Sequence, residues 1–224
     1  MENKKPIFIC LDGADGCGKT TLTQLAKTSV ESTGRPCEIM AVLGHGPLGK
    51  EIRKHLFNRK EQTTPALKAL LIASMILETY DEHIRPALNQ GLSVILDRDI
   101  SSFYTYQWHT QHNRAAQAIF QEIFSNSEFM PVRPDLLFHC QIEVAVANDR
   151  MRDRLDNNYF DEKLDAFKRD VQRGFEIGIR KMKMLFPKTF VVDLNCNHEL
   201  EVVQSALHAE IIDFLKKRDG YATT

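Results

Sequence analysis

No apolar run in this chain approaches the roughly 18 residues that a membrane-spanning helix needs, and the opening Met1-Glu2-Asn3-Lys4-Lys5-Pro6 has no apolar core of the secretory kind. Neither sign of charge prevails. With 29 Lys and Arg against 30 Asp and Glu, the formal charge of −1 argues against a surface built mainly to coat nucleic acid or anionic lipid. Cysteine is sparse: Cys10, Cys17, Cys37, Cys140 and Cys196 are odd in number and lack C-x-x-C spacing, which excludes a disulfide framework and a zinc ribbon. They read as reduced thiols, so the expected setting is the cytoplasm. Internal repeats, low-complexity tracts and Gly/Ser/Pro-rich linkers are also missing, so residues 1–224 are expected to form one domain.

What is present begins with Gly13-Ala14-Asp15-Gly16-Cys17-Gly18-Lys19-Thr20, a full G-x-x-x-x-G-K-[ST] match placed after the apolar run Ile7–Leu11 and before a helix-like stretch. Glycines let the backbone turn with positive φ and aim N–H groups at phosphate oxygens. Lys19 adds a point charge, Thr20 a hydroxyl for Mg²⁺, and Thr21 continues the helix start. Residues Gly13, Asp15, Gly16, Cys17, Gly18, Lys19, Thr20 and Thr21 are thus the expected ATP-binding set.

Hydrophobic periodicity alternates strand and helix along the rest of the chain. Strands are expected at 6–12, 36–43, 92–97, 135–142 and 188–194. Helices are expected at 18–33, 47–58, 64–88, 100–125, 144–155, 161–184 and 199–217. Thr64-Pro65 opens the third helix, and Pro86 is expected to kink its end. The order predicts an α/β fold, a five-stranded parallel sheet covered by helices on both faces, with ligands at the carboxyl ends of the strands. Asp97 ends one such strand, where a carboxylate serves Mg²⁺, and Arg98 beside it suits a two-pronged grip on phosphate. His109 and His112 have helical spacing for a metal but no Cys or carboxylate partner in the nearby sequence, and are set aside. Cys17, at a helix N-terminus, is expected to have a depressed pKa.

The window Asp97-Arg98-Asp99-Ile100-Ser101-Ser102-Phe103-Tyr104-Thr105-Tyr106-Gln107 resembles the thymidylate kinase family signature D-R-Y-x-x-S-x-x-A-Y-Q. Leu11–Gly16, Pro47–Arg53, Ile84–Leu88 with Gly91, and Arg133–Leu136 are similar to further family segments, so the resemblance spans residues 6–193. It implies a P-loop NTPase-type fold of three layers with a short lid at about 149–161, a homodimer, ATP as donor and Mg²⁺ as cofactor. Residue by residue, it implies catalytic roles for Lys19, Arg98 and Asp15, Mg²⁺ on Thr20 and Asp97, and acceptor contacts from Asp15, Arg53, Arg98, Ser102, Tyr106 and Gln107. Gly16, where part of the family has Arg, is similar to the subgroup that draws its catalytic arginines from the lid. Arg150, Arg152 and Arg154 fall there, with Arg150 and Arg154 taken as the catalytic candidates.

The chain departs from the pattern at Asp99, where the family has Tyr, at Ala41-Val42-Leu43, where it has R-E-P, and at Ile72 and Ile76, which fall on the thymine-stacking Phe and the base-reading Arg. An Ile offers neither a flat ring nor a donor. The expected activity is phosphorylation of a deoxynucleoside 5′-monophosphate, dTMP or a related, including modified, pyrimidine. Two alternatives stand beside it. One is a hydroxyl acceptor, in a nucleoside or a hydroxymethylated base of a nucleotide or DNA, with Asp99 or Asp15 as base; the other is a nucleotide-dependent switch ATPase.

Overall fold

The computed structural model describes residues 4–58, 63–152 and 165–220. Five parallel strands, β1 (Phe8–Gly13), β2 (Cys37–Ala41), β3 (Ser93–Asp97), β4 (Leu136–Gln141) and β5 (Phe190–Asn195), lie in the order β2-β3-β1-β4-β5. β1 is therefore central, and its register sets Leu11 opposite Asp97 and Asp12 opposite His139. Strands buried on both faces carry unbroken apolar runs, as parallel sheets require. Phe8, Cys10, Val94 and Leu96 face one core; Ile9, Leu11, Ile95 and Phe138 face the other.

Eight helices cover the two faces among the described residues: α1 (Lys19–Glu31), α2 (Pro47–Leu56), α3 (from Pro65), α4 (from Ile100), α5 (from Arg114), α6 (Val144–Arg152), α7 (Asp165–Leu185) and α8 (Leu200–Arg218). α8 packs on α1. There the fully buried Arg35 donates from Nη2 to both oxygens of Asp219 at 2.6 and 2.7 Å, fastening the end of α8 to the turn before β2.

α3 starts as expected, with Thr64 capping Leu67 N–H and Pro65 in the first turn. Its end differs from a simple kink. After Pro65–Glu78 the helix widens to π geometry over Thr79–Ile84, with Arg85 N–H reaching back to Tyr80, and returns to α geometry over Arg85–Asn89. Pro86 has no N–H to give and its ring crowds the preceding turn, so the extra residue per turn is taken up just before it. Within this long helix Glu78 accepts from Leu48 N–H at 3.0 Å and Gly49 N–H at 2.7 Å, anchoring the start of α2.

The helix expected over 100–125 is two. α4 runs Ile100–Phe103 and widens to π geometry over Tyr104–His109; α5 runs Arg114–Ile119 and does the same over Phe120–Phe124. Between them His112 takes φ 49° and Asn113 caps Ala115 and Ala116. This break cancels the helical spacing of His109 and His112, and His109 instead meets Asp170 of α7 at 3.0 Å. The lid segment expected at about 149–161, and the start of the helix expected at 161–184, lie largely outside the described residues.

Candidate active site

The loop from β1 to α1 is built by close approach. A Cβ on Gly13, whose φ is 158°, would meet the carbonyl oxygen of Cys140 at 2.4 Å, and one on Gly16, whose φ is 86°, would meet Ala147 of α6 at 2.9 Å. Only glycine satisfies both the backbone and the space. A side chain at position 16 would have to displace Ala147. Buried Lys19 donates to the carbonyl oxygens of Gly13 and Ala14 at 2.8 Å each, so its ammonium sits inside the loop's curve. Gly18, in left-handed conformation, starts α1 and leaves the helix's first N–H groups at the cavity floor.

That cavity, of about 460 Å³, is lined by Asp15, Gly16, Gly18, Lys19 and Thr20 from the loop, Arg53 from α2, and Asp97 and Arg98 from the end of β3. Thr21 is exposed and is not among the lining residues. Cys17 is buried behind the loop, where a hydrogen bond from the Cys140 thiol and the nearby Lys19 ammonium lower its pKa against the effect of burial; the Cys140 thiol is raised in turn.

Asp97 brings a carboxylate whose Oδ1 is sealed from solvent without a partner. Burial raises its pKa, against the pull of Arg98 and Lys19. A cation between Asp97 and the exposed Thr20 hydroxyl would meet that bare oxygen, and hard oxygen donors are what Mg²⁺ takes. The donor set fits the expected ion.

Arg98 has φ 70°, a left-handed backbone uncommon outside glycine that stores on the order of 1 kcal/mol or more of strain. The conformation turns its guanidinium back over the loop. Its Nη2 pairs with Asp15, its Nη1 donates to Ser102 Oγ at 3.2 Å, and its face lies 5.6 Å from the centre of the Tyr106 ring. Tyr106 also donates to Asp15 at 3.3 Å. Burial works against the charges, yet Asp15 holds the Arg98 pKa above its ordinary value, and Arg98 with Lys19 holds the Asp15 carboxyl below its own.

Beneath this pair stands Asp12, fully buried, whose role the motif reading passed over. Its Oδ1 accepts from Gly13 N–H at 2.9 Å and Ser102 Oγ at 2.6 Å; its Oδ2 accepts from Asp99 N–H at 3.1 Å, Ser102 N–H at 2.9 Å, and the Ser101 hydroxyl. One carboxylate thus ties the loop to the start of α4, the helix that carries Ser102, Tyr106 and Gln107. The signal for it was an acidic residue at the end of a fully buried strand, where a charge is tolerated only if it is heavily hydrogen-bonded.

The acceptor residues expected from the resemblance gather at a second, apolar slot of about 70 Å³. Ile72, Ile76, Asp99, Ser102, Tyr106 and Gln107 line it, joined by Phe57, Phe103, Lys68 and Arg98. Asp99 is 1% exposed; Tyr80 of α3 donates to its Oδ1 at 2.7 Å, and burial pushes its carboxyl up to about 7 despite that bond. Arg53 lines the larger cavity rather than this slot, donating to Leu43 O at 3.1 Å with its guanidinium over Phe57. The lid candidates are not brought to either cavity. Arg150 donates to His198 O at 2.8 Å, Arg152 pairs with Asp149, and Arg154 lies outside the described residues.

Comparison with known proteins agrees with this geometry. The family model described as Thymidylate kinase matches residues 11–206. A thymidylate kinase of Thermoanaerobacter sp. (strain X514) is 28% identical over 214 residues, covering 94% of this chain and 97% of that one. A probable thymidylate kinase of Thermococcus kodakarensis is 29% identical over 212 residues, covering 92% and 97%, and one of Clavibacter sepedonicus is 27% identical over 203 residues, covering 91% and 93%. A phosphate loop on the central strand, an arginine turned over it and a slot beyond are accounted for together: the chain belongs to the thymidylate kinase family, nucleoside monophosphate kinases that transfer a phosphoryl group.

Proposed function

We propose that this chain transfers the γ-phosphoryl group of ATP to the 5′-phosphate of dTMP, as a cytoplasmic homodimer. One observation carries the reading: Arg98 lines both cavities, the polar one under the phosphate loop and the apolar slot, so its guanidinium stands where a donor and an acceptor phosphate meet. The acceptor oxygen is already anionic, so positioning and charge neutralisation suffice and no strong base is needed. Lys19 and the loop's N–H groups hold the donor phosphates, and Arg98, braced by Asp15 and Ser102, neutralises charge on the acceptor and the group in flight. Thr20 and Asp97 would hold Mg²⁺, which when bound neutralises the donor phosphate oxygens. For Arg150 to reach the transferred group it must leave His198, a motion suited to a closing lid. Exposed Leu67 and Leu70 on α3 supply an apolar stripe for the second protomer.

A hydroxyl acceptor is less well served. Asp99 is buried and bonded to Tyr80, poorly placed to take a proton from an incoming hydroxyl. The test is a panel: with Mg-ATP, the purified chain is offered dTMP, dUMP, dCMP, dAMP and dGMP beside nucleosides and DNA. Conversion of dTMP to its diphosphate is expected. Transfer to nucleosides or DNA with none to any monophosphate would overturn the proposal.

A further inference from the structure

Away from both cavities, the π turn in the long helix that begins with α3 changes which side chains share a face. In an α-helix, residues five apart lie about 140° from each other around the axis. In π geometry the N–H of residue i+5 bonds back to residue i, so position 83 returns above position 78. The π stretch is Thr79–Ile84. Glu78 and Glu82, one turn apart, are thereby joined by His83, and one ligand atom from each of the three lies within 4.8 Å of the other two. The turn before Pro86 thus assembles a group that an unbroken α-helix would leave without its imidazole.

His83 is the member that the fold leaves unsatisfied. Its Nε2 is sealed from solvent and has no hydrogen-bond partner among the described residues. A Cβ added to Gly46, in the loop after β2, would stand 2.6 Å from that nitrogen and 2.3 Å from Glu78 Oε1. The two atoms therefore converge on one side of this loop, and only a glycine there leaves them room. Each oxygen of Glu78 accepts one backbone N–H, from Leu48 or Gly49, and keeps a second lone pair. Glu82 is exposed and gives the group an open side. His45 stands edge-on to His83 with ring centroids 4.8 Å apart. Two imidazoles so close oppose a charge on either, and the neutral ring is the form that ligates a metal.

We propose that Glu78, Glu82 and His83 form a second cation site, for a divalent transition metal of the Zn²⁺ kind, apart from the Mg²⁺ position at Thr20 and Asp97. The donor set gives the class. Two carboxylates and an imidazole suit Zn²⁺ with a water in the fourth position, whereas Mg²⁺ and Ca²⁺ take oxygen almost alone. Ligand atoms around a tetrahedral Zn²⁺ stand about 3.4 Å apart, so the three close by at most about 1.4 Å as the ion enters, a shift that the exposed Glu82 side chain can supply. The consequence is mechanical. Glu78 already holds the start of α2 through Leu48 and Gly49, and α2 carries Arg53 to the wall of the phosphate cavity. An ion on Glu78 fastens that anchor to the π turn.

The test uses the full chain, stripped with a chelator and dialysed, with Co²⁺ as a visible-absorbing substitute for Zn²⁺, in equilibrium dialysis and in urea unfolding. Asp97→Asn removes the carboxylate of the phosphate cavity, so the ion that this variant still binds is held elsewhere. It is expected to keep one equivalent of Co²⁺, displaced by Zn²⁺ and not by Mg²⁺. Adding Glu82→Gln or His83→Gln to Asp97→Asn is expected to weaken that binding about 10-fold or more. Zn²⁺ is expected to raise the urea midpoint of Asp97→Asn and to leave that of the double variants where it was, since an ion held only by the folded chain stabilises it. Glu82 is exposed, so its variant decides the matter even where His83→Gln does not fold. The proposal falls if Asp97→Asn binds no Co²⁺, or if a folded double variant keeps its affinity within threefold.

Discussion

Changing Asp12 to Asn alters one atom and charge at the point where the phosphate loop joins α4, and its cost follows from the five hydrogen bonds that the carboxylate accepts. If the new amide nitrogen takes the place of Oδ2, it faces the backbone N–H groups of Asp99 and Ser102; Ser102 N–H also reaches Asp99 O at 2.9 Å, whereas Asp99 N–H has no other acceptor among the described residues. Turned the other way it faces Ser102 Oγ, which can rotate to accept, and Gly13 N–H, which cannot. Either orientation leaves one buried N–H opposed, about 1.5–3 kcal/mol where the lost acceptor was charged, and removes a carboxylate from the start of a helix, about 0.3–2 kcal/mol. The sum is about 2–5 kcal/mol, to be read from urea unfolding with the helical circular dichroism signal. Because α4 carries Ser102 and Tyr106, which brace Arg98 and Asp15, kcat is expected to fall at least 10-fold even where the variant is folded. An Asp12→Asn protein within 1 kcal/mol of the original stability would refute this account of the carboxylate as the tie between loop and helix.

Asp99 gives a pH prediction. Folding pushes its carboxyl up to about 7, whereas an unfolded aspartate titrates near 3.9; the folded chain therefore holds the extra proton between those values, and its stability falls as pH rises from about 4 to about 7. Asp99→Asn keeps an acceptor for Tyr80 and is expected to flatten that slope, by up to about 4 kcal/mol across the window; parallel urea-midpoint curves for the two proteins between pH 4.5 and 8 would count against it. Asp219→Ala is expected to cost about 2–4 kcal/mol, because it strips two short bonds from a buried guanidinium while the 20% exposure of Asp219 lets water relieve part of the loss, and to leave kcat unchanged. Asp97→Asn is expected to raise the Mg²⁺ concentration for half-maximal activity at least 10-fold; an unchanged metal requirement would remove Asp97 from the cation site.

The parallel sheet was legible from unbroken apolar runs ending at Asp12 and Asp97, and the helices from periodicity and Thr64-Pro65. Both cavities were within reach too, because Lys19, Arg98, Ile72 and Gln107 belong to motifs with fixed spacing. What stayed hidden depends on contacts between distant segments or on backbone that composition does not announce. The π turns before Pro86 and within α4 keep an apolar pattern that an α-helix also allows. The break at His112 rests on a left-handed residue that is not glycine, as does the turn at Arg98.

Arg98 and Leu43 are walls of both cavities, so the two are adjoining rooms with a shared partition. Whatever fills one presses on or steadies that partition for the other. The affinity of each nucleotide must then depend on the presence of its partner, and by thermodynamic reciprocity the factor by which ATP changes acceptor binding equals that by which the acceptor changes ATP binding. A guanidinium held in a strained backbone by Asp15 and Ser102 meets either phosphate with a positive charge whose ordering cost folding has already met.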